Sequence, residues 1–143
     1  MNSRLLRILV LAVFLLAVSL LSQDAEAASF TAQSVTSTNI TIPQSNYQIN
    51  ITVNNTDSTY NITKVNITIT NFTFILVSNS TTASNTTFSS VSDNLIWSNS
   101  SSEGFITNGT PQNFTFNVSV PSTPGYYNFT VNVLDTSGAS NST

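Results

Sequence analysis

The chain has 143 residues, a formal net charge of −3, and neither cysteine nor histidine. This composition excludes disulfides, the common His- or Cys-based nucleophile pairs and Cys/His zinc sites. The scarcity of lysine and arginine argues against nucleic acid as a partner, and the length is that of one domain.

The chain opens with a secretory leader. Arg4 and Arg7 form a positive n-region, Ile8 to Leu21 is apolar apart from Ser19, and Ala25-Glu26-Ala27 supplies a small-x-small site. That order of features predicts a signal peptide over 1–27, cleaved before Ala28. The apolar run of 14 residues is short for a membrane span, which needs about 20; a retained N-terminal anchor is the competing reading. No cysteine follows the run and no apolar segment lies near Thr143, so no lipid anchor, C-terminal anchor or membrane association after cleavage is expected. From Ala28 onward the only charged residues are Asp57, Lys64, Asp93, Glu103 and Asp135, and Ser, Thr and Asn dominate the polar positions.

Alternation then marks the strands. Residues 28–46 form an extended N-terminal segment with Phe30, Val35, Ile40 and Ile42 as its larger apolar residues, ending near Pro43. Tyr47 to Val53 places Ile49, Ile51 and Val53 on one side and stops at Asn54-Asn55-Thr56-Asp57. Asn61 to Ile69 places Val65, Ile67 and Ile69 inward; the phase slips near Thr70-Asn71, where Phe72, Phe74 and Leu76 take over, which predicts a bulge or a corner. Ser78 to Thr87 reads as an exposed polar loop. Val91, Leu95-Ile96-Trp97 and Phe105-Ile106 are short apolar pieces, and Trp97 is expected in the core. Phe114, Phe116, Val118 and Val120 share one face, as do Tyr127, Phe129, Val131 and Val133; Pro121-Ser122-Thr123-Pro124-Gly125 between them predicts a hairpin. Residues 136–143 read as a polar tail. No window after the leader has helical periodicity. Residues 47–135 are therefore expected to form an antiparallel β-sandwich of the Ig-like kind with about seven strands.

Asn-x-Ser/Thr triplets occur fourteen times, at Asn39, Asn50, Asn54, Asn61, Asn66, Asn71, Asn79, Asn85, Asn99, Asn108, Asn113, Asn117, Asn128 and Asn141. About six or seven would arise from the Asn count alone in so Ser/Thr-rich a chain. With an export signal, the excess predicts N-linked glycans. A strand with polar residues outside and apolar ones inside also spells Asn-Ile-Thr or Asn-Phe-Thr. That explanation covers Asn50, Asn66, Asn113, Asn117 and Asn128 in part; Asn79, Asn85, Asn99, Asn108 and Asn141 lie in loop-like surroundings.

Ile51-Thr52-Val53-Asn54-Asn55, the long Lys64 to Thr70 strand, Gly109 before a Phe-rich strand, and Pro124-Gly125-Tyr126-Tyr127-Asn128-Phe129-Thr130-Val131 together resemble the Ig-like domains of archaeal and bacterial surface proteins of the CARDB or NEW3 type. In such domains one more strand normally follows, and Tyr127 stands where the penultimate strand begins. The polar residues after Leu134 lack apolar alternation, so the sandwich is expected to be one strand short. An open edge of that kind can be filled by another chain, and Ser29 to Ile42 is the natural donor. This logic resembles the archaeal thread filaments, glycosylated β-sandwich subunits strung together by N-terminal strands. The low charge fits display in acid, where carboxylates are protonated and Ser, Thr, Asn and glycans supply the solvating layer.

No catalytic, cofactor-binding or metal-binding residues are expected. Asp57 and Asp135 read as turn residues, Asp-Thr-Ser-Gly at 135–138 occurs once only, and Lys64 faces outward from a strand. The expected role is a non-enzymatic extracellular structural or filament subunit whose partners are its own copies or surface-layer proteins. A self-contained carbohydrate- or protein-binding module is the alternative, with Tyr47, Tyr60, Trp97 and Tyr126 as candidate stacking rings, and a fragment of a longer surface protein is another.

Overall fold

The computed structural model describes residues 27–34, 39–40, 46–70, 74–99, 101, 103–119, 125–126 and 128–143. The leader, Pro43, Asn71, Phe72, the turn at 121–124 and Tyr127 lie outside the described residues. The described chain is all-β, with strands β1 (Phe30–Ser34), β2 (Asn39–Ile40), β3 (Tyr47–Asn55), β4 (Ile62–Ile69), β5 (Ile75–Thr81), β6 (Thr87–Val91), β7 (Asn94–Ser98), β8 (Gln112–Ser119), β9 (Gly125–Tyr126), β10 (Phe129–Asp135) and β11 (Ser140–Ser142). They form a four-stranded sheet in the order β1-β3-β8-β5, a five-stranded sheet in the order β11-β10-β4-β7-β6, and a β2-β9 ladder. All named strand pairs are antiparallel.

This is the Ig-like sandwich. The constant-type arrangement places strands A, B, E and D in one sheet and C, F and G in the other. Here β1, β3, β8 and β5 hold the first set of places, and β4, β10 and β11 the second. The hairpin β6–β7 is added beside β4, which brings the two main sheets to nine strands rather than about seven.

Alternation produces the core directly. Ile49, Ile51 and Val53 from β3 and Phe114, Phe116 and Val118 from β8 are buried, as are Val65, Ile67 and Ile69 from β4, Leu95 and Trp97 from β7, and Val131 and Val133 from β10. Phe30, Ala32, Phe74, Leu76, Phe88, Phe105 and Phe129 pack around them. Trp97 is a core residue, its ring centroid 5.0 Å from that of Phe88 and 5.2 Å from that of Phe114.

Several expectations are corrected by non-local pairing. The segments around Phe114–Val120 and Tyr127–Val133 do not form a hairpin: β8 lies between β3 and β5, whereas β10 lies between β4 and β11 in the other sheet. Both strands need their apolar faces covered, and the connection between Ser119 and Phe129 crosses from one sheet to the other. The slip after Ile69 does mark a corner with a bulge, as expected: the chain passes from β4 of one sheet to β5 of the other, and β5 carries a register shift between Leu76 and Ser78. Ser78–Thr81 belongs to β5 rather than to a loop. Residues 136–143 are not a free tail. A turn leads into β11, which pairs with Asn132–Leu134, so the last strand is present but only three residues long.

The two polar residues buried among the described residues, Asn55 and Asp135, continue an inward phase. Asn55 follows Ile49, Ile51 and Val53, and Asp135 follows Val131 and Val133. Asp135 Oδ1 accepts hydrogen bonds from Ser137 N at 2.8 Å, Ser137 Oγ at 2.6 Å and Ala139 N at 3.0 Å, closing the turn into β11. Asp57 Oδ1 does the same on the surface for Thr59 N and Tyr60 N. Both aspartates are turn residues.

The loop before β8 is seated through Gly104. Its φ is +72°, and a Cβ there would lie 2.6 Å from Asn61 Cβ and 2.9 Å from Ile62 O. Phe105 N donates to Ile62 O at 2.8 Å, and Ile106 bridges Ile62. Gly104→Ala is expected to destabilise the fold by about 2 kcal/mol or more, combining strain and overpacking. Gly138→Ala, at φ +87° in open space, should lose only about 1–2 kcal/mol. Thermal unfolding of the two variants checks that order.

Candidate glycan-bearing surface

The outward faces of the sandwich are built mostly from amides and hydroxyls, with a few apolar residues such as Ile96 among them. On the four-stranded sheet the outward side of β3 carries Gln48, Asn50, Thr52 and Asn54, opposite Asn113, Thr115 and Asn117 of β8. The register sets Asn50 against Thr115 and Thr52 against Asn113, so two Asn-x-Thr triplets run head to tail. Thr52 Oγ1 donates to Asn113 Oδ1 at 2.7 Å. On the five-stranded sheet one outward row reads Ser142, Asn132, Asn66, Ile96, Ser89. Lys64 is the only charged side chain on the outward sides of these strands; Asp57, Asp93 and Glu103 lie between strands, and Asp135, on β10, is buried.

The fourteen asparagines separate by what their amide nitrogens do, since Nδ2 is the atom that carries an N-linked sugar. Among the described residues, Asn61, Asn66, Asn117 and Asn141 have their amide nitrogens held by the protein. Asn61 Nδ2 donates to Glu103 O at 2.6 Å, Asn66 Nδ2 to Asn94 Oδ1 at 3.1 Å, Asn117 Nδ2 to Asn46 Oδ1 at 2.8 Å and Asn141 Nδ2 to Ala28 O at 2.8 Å. Thr68, the hydroxyl residue of the Asn66 triplet, also donates to Asn94 Oδ1, at 2.8 Å, so both polar groups of that triplet are pinned. Asn50, Asn54, Asn99 and Asn113 are half-buried. Asn99 Oδ1 accepts from Ser101 N, and the Asn54 and Asn66 side-chain oxygens are buried without a partner.

Asn79, Asn85, Asn108 and Asn128 are exposed, and no hydrogen bond holds their amide nitrogens among the described residues. Asn79 lies on β5, Asn85 in the loop to β6 at φ 56°, Asn108 at a bridge to Asn55, and Asn128 just before β10. Two expectations change here. Asn79 and Asn141 sit on strands, not in loops, and Asn128 precedes its strand. Asn39 lies on β2, opposite Tyr126; Asn71 is outside the described residues. The signal that sequence reading missed is the cross-strand partner, which comes from residues 28 to 113 positions away.

Among the described residues the candidate rings do not form a stacking platform, and the Tyr126 side chain lies outside the described residues. Trp97 is buried, Tyr47 is half-buried, and Tyr60 is exposed. A shallow depression of about 160 Å³ lies on the outer side of the five-stranded sheet, lined by Lys64, Asn66, Asn132, Val133, Leu134 and Ser140. Among the described residues no three acidic side chains gather into a metal-binding group, and no helix is long and apolar enough to cross a membrane. No family model matches the chain, and neither curated proteins nor solved structures yield a significant match.

Proposed function

We propose that the chain is an exported, heavily N-glycosylated, non-enzymatic structural subunit of a cell surface or surface filament. The observation that supports this reading most is the outer surface itself: strand faces bearing one charge and many Asn-x-Ser/Thr triplets. Such a surface is poorly solvated by ionic groups, and sugars on its asparagines would supply the missing hydration and keep the faces apart. Other copies of the chain, or surface-layer proteins, are the partners in this reading.

Strand exchange is the form of assembly that we propose. With β11 in the last-strand position, the exchanged element would be β1 moving into the equivalent place beside β3 of a neighbour, a domain swap. β1 is an edge strand held by five register pairs. It is joined to β3 by residues 35–46, twelve residues that reach roughly 40 Å when extended. Native mass measurement and electron microscopy of the protein recovered from its host's surface test the reading. Filaments or SDS-resistant ladders that disappear on deletion of residues 29–42, with the β-sheet circular dichroism retained, are expected. A glycosylated monomer at every concentration would sink the assembly; absence of sugar at all fourteen triplets would sink the whole reading.

A further inference from the structure

β5 is the longest edge strand of the two main sheets, and it carries neither a charge nor a proline. It is seven residues long, against five for β1, five for β6 and three for β11, the other edges of the two main sheets. Its outer side has no strand beside it among the described residues. Ile75 is 70 % exposed and Val77 52 %. Sheet edges are ordinarily guarded by lysine, by proline, by shortness or by a covering segment, because a long apolar edge pairs with another chain. The sequence Ile-Leu-Val-Ser-Asn-Ser-Thr contains no charge and no proline. Its one irregularity, the register shift between Leu76 and Ser78, lies toward its N-terminal half and leaves Ser78–Thr81 regular.

What this edge does have is acceptor asparagines. Of the four exposed asparagines whose amide nitrogens are unengaged, two, Asn79 and Asn85, lie on β5 and on the loop that leaves it. Asn79 sits opposite Phe116 in the register, on the core-facing side of β5, yet is exposed. A sugar there would stand at the open side of the sandwich beside the free backbone edge. We propose that N-linked sugars at Asn79 and Asn85 cap the β5 edge and prevent two copies from pairing through it. This rests on the reading of the chain as N-glycosylated. The occupant excluded is a second copy, paired antiparallel through the regular backbone of Ser78–Thr81, which would bring the exposed Ile75 and Val77 of each copy beside the other in one symmetric interface.

Glycopeptide mass spectrometry on the protein from its host comes first, with sedimentation of the wild type, of Asn79→Gln/Asn85→Gln, and of that double variant with Val77→Lys added. The inference expects sugar at Asn79, a wild type that does not pair through β5, and a double variant with twice the wild-type mass per particle. Amide exchange should slow across 75–81 in the double variant, and Val77→Lys should reverse both changes by placing a charge on the edge. An unoccupied Asn79 overturns the cap even if other triplets carry sugar. A double variant that keeps wild-type mass and fast exchange at 75–81 overturns it as well. Sugar at none of the triplets removes the glycoprotein reading along with the cap, which separates the two failures.

Discussion

Trp97→Ala is expected to lower folding stability by about 3–5 kcal/mol, the range for truncating a buried large aromatic side chain. That is a large part of the 5–15 kcal/mol typical of a single domain. Trp97 ties the two sheets together: it lies on β7 of the five-stranded sheet and meets Phe114 edge-on at 5.2 Å and Phe116 at 6.4 Å across the core. Phe88 of the neighbouring strand closes its other side at 5.0 Å. Alanine would open a void among rings that belong to different strands and cannot collapse together. Trp97→Phe should cost roughly half as much or less, because a ring remains and the buried Nε1, which has no acceptor, is removed. Trp97 is the only tryptophan, so urea unfolding must be followed by far-ultraviolet circular dichroism rather than fluorescence. An alanine variant within about 1 kcal/mol of wild type would show that the ring does not join the sheets.

Asn55 carries the second large effect. It is fully buried, and its Nδ2 donates to Tyr60 O at 2.8 Å and Ile106 O at 3.1 Å while its Oδ1 accepts from Asp57 N at 2.9 Å. One side chain thereby holds the end of β3, the turn toward β4 and the approach to β8. Asn55→Ala removes all three bonds. Asp57 N and Tyr60 O lie near water and can be rehydrated, and Ile106 O keeps the bond from Ile62 N, so the loss should be about 2–3 kcal/mol rather than the sum of three buried orphans. Asn55→Asp has nearly the same shape but turns the two donors into an acceptor facing two carbonyl oxygens. It should be worse than alanine at neutral pH, by about 1 kcal/mol or more. Urea unfolding of both variants gives the order; aspartate tolerated as well as asparagine would contradict the assigned amide orientation.

The two residues differ in how they are read from sequence. Trp97 was legible as core from its size and its neighbours Leu95 and Ile96. Asn55 was not: beside Asn54, Thr56 and Asp57 it looks like the start of a turn, and the strand was expected to end one or two residues earlier. The clue was the phase, because Asn55 continues the inward series 49, 51, 53. A polar residue on the inward phase at a strand end can bind loop backbone, but the loops it binds come from 5 and 51 residues away.

The asparagine surface shows the same division. Fourteen acceptor triplets are countable from the sequence, and alternation correctly sets Asn50, Asn66, Asn113 and Asn117 on outward faces. It does not reveal that Asn66 is tied to Asn94, or that Asn141 reaches Ala28, because those contacts depend on which strands become neighbours. Polar edge strands are equally silent. Ser78–Thr81 and Ser140–Ser142 bury little apolar surface, so they have no hydrophobic period, and the backbone pairing that defines them is independent of side-chain type.

By itself, the sequence determined that the chain is all-β, which residues of each long strand face the core, and that the outer surface is nearly uncharged and rich in acceptor asparagines. These follow from a two-residue side-chain period and from composition, both local properties. Tertiary structure decided that β8 and β10 lie in opposite sheets, that β11 completes the second sheet, and which asparagines stand free. Those outcomes depend on covering both faces of the core at once, and no segment carries that constraint alone.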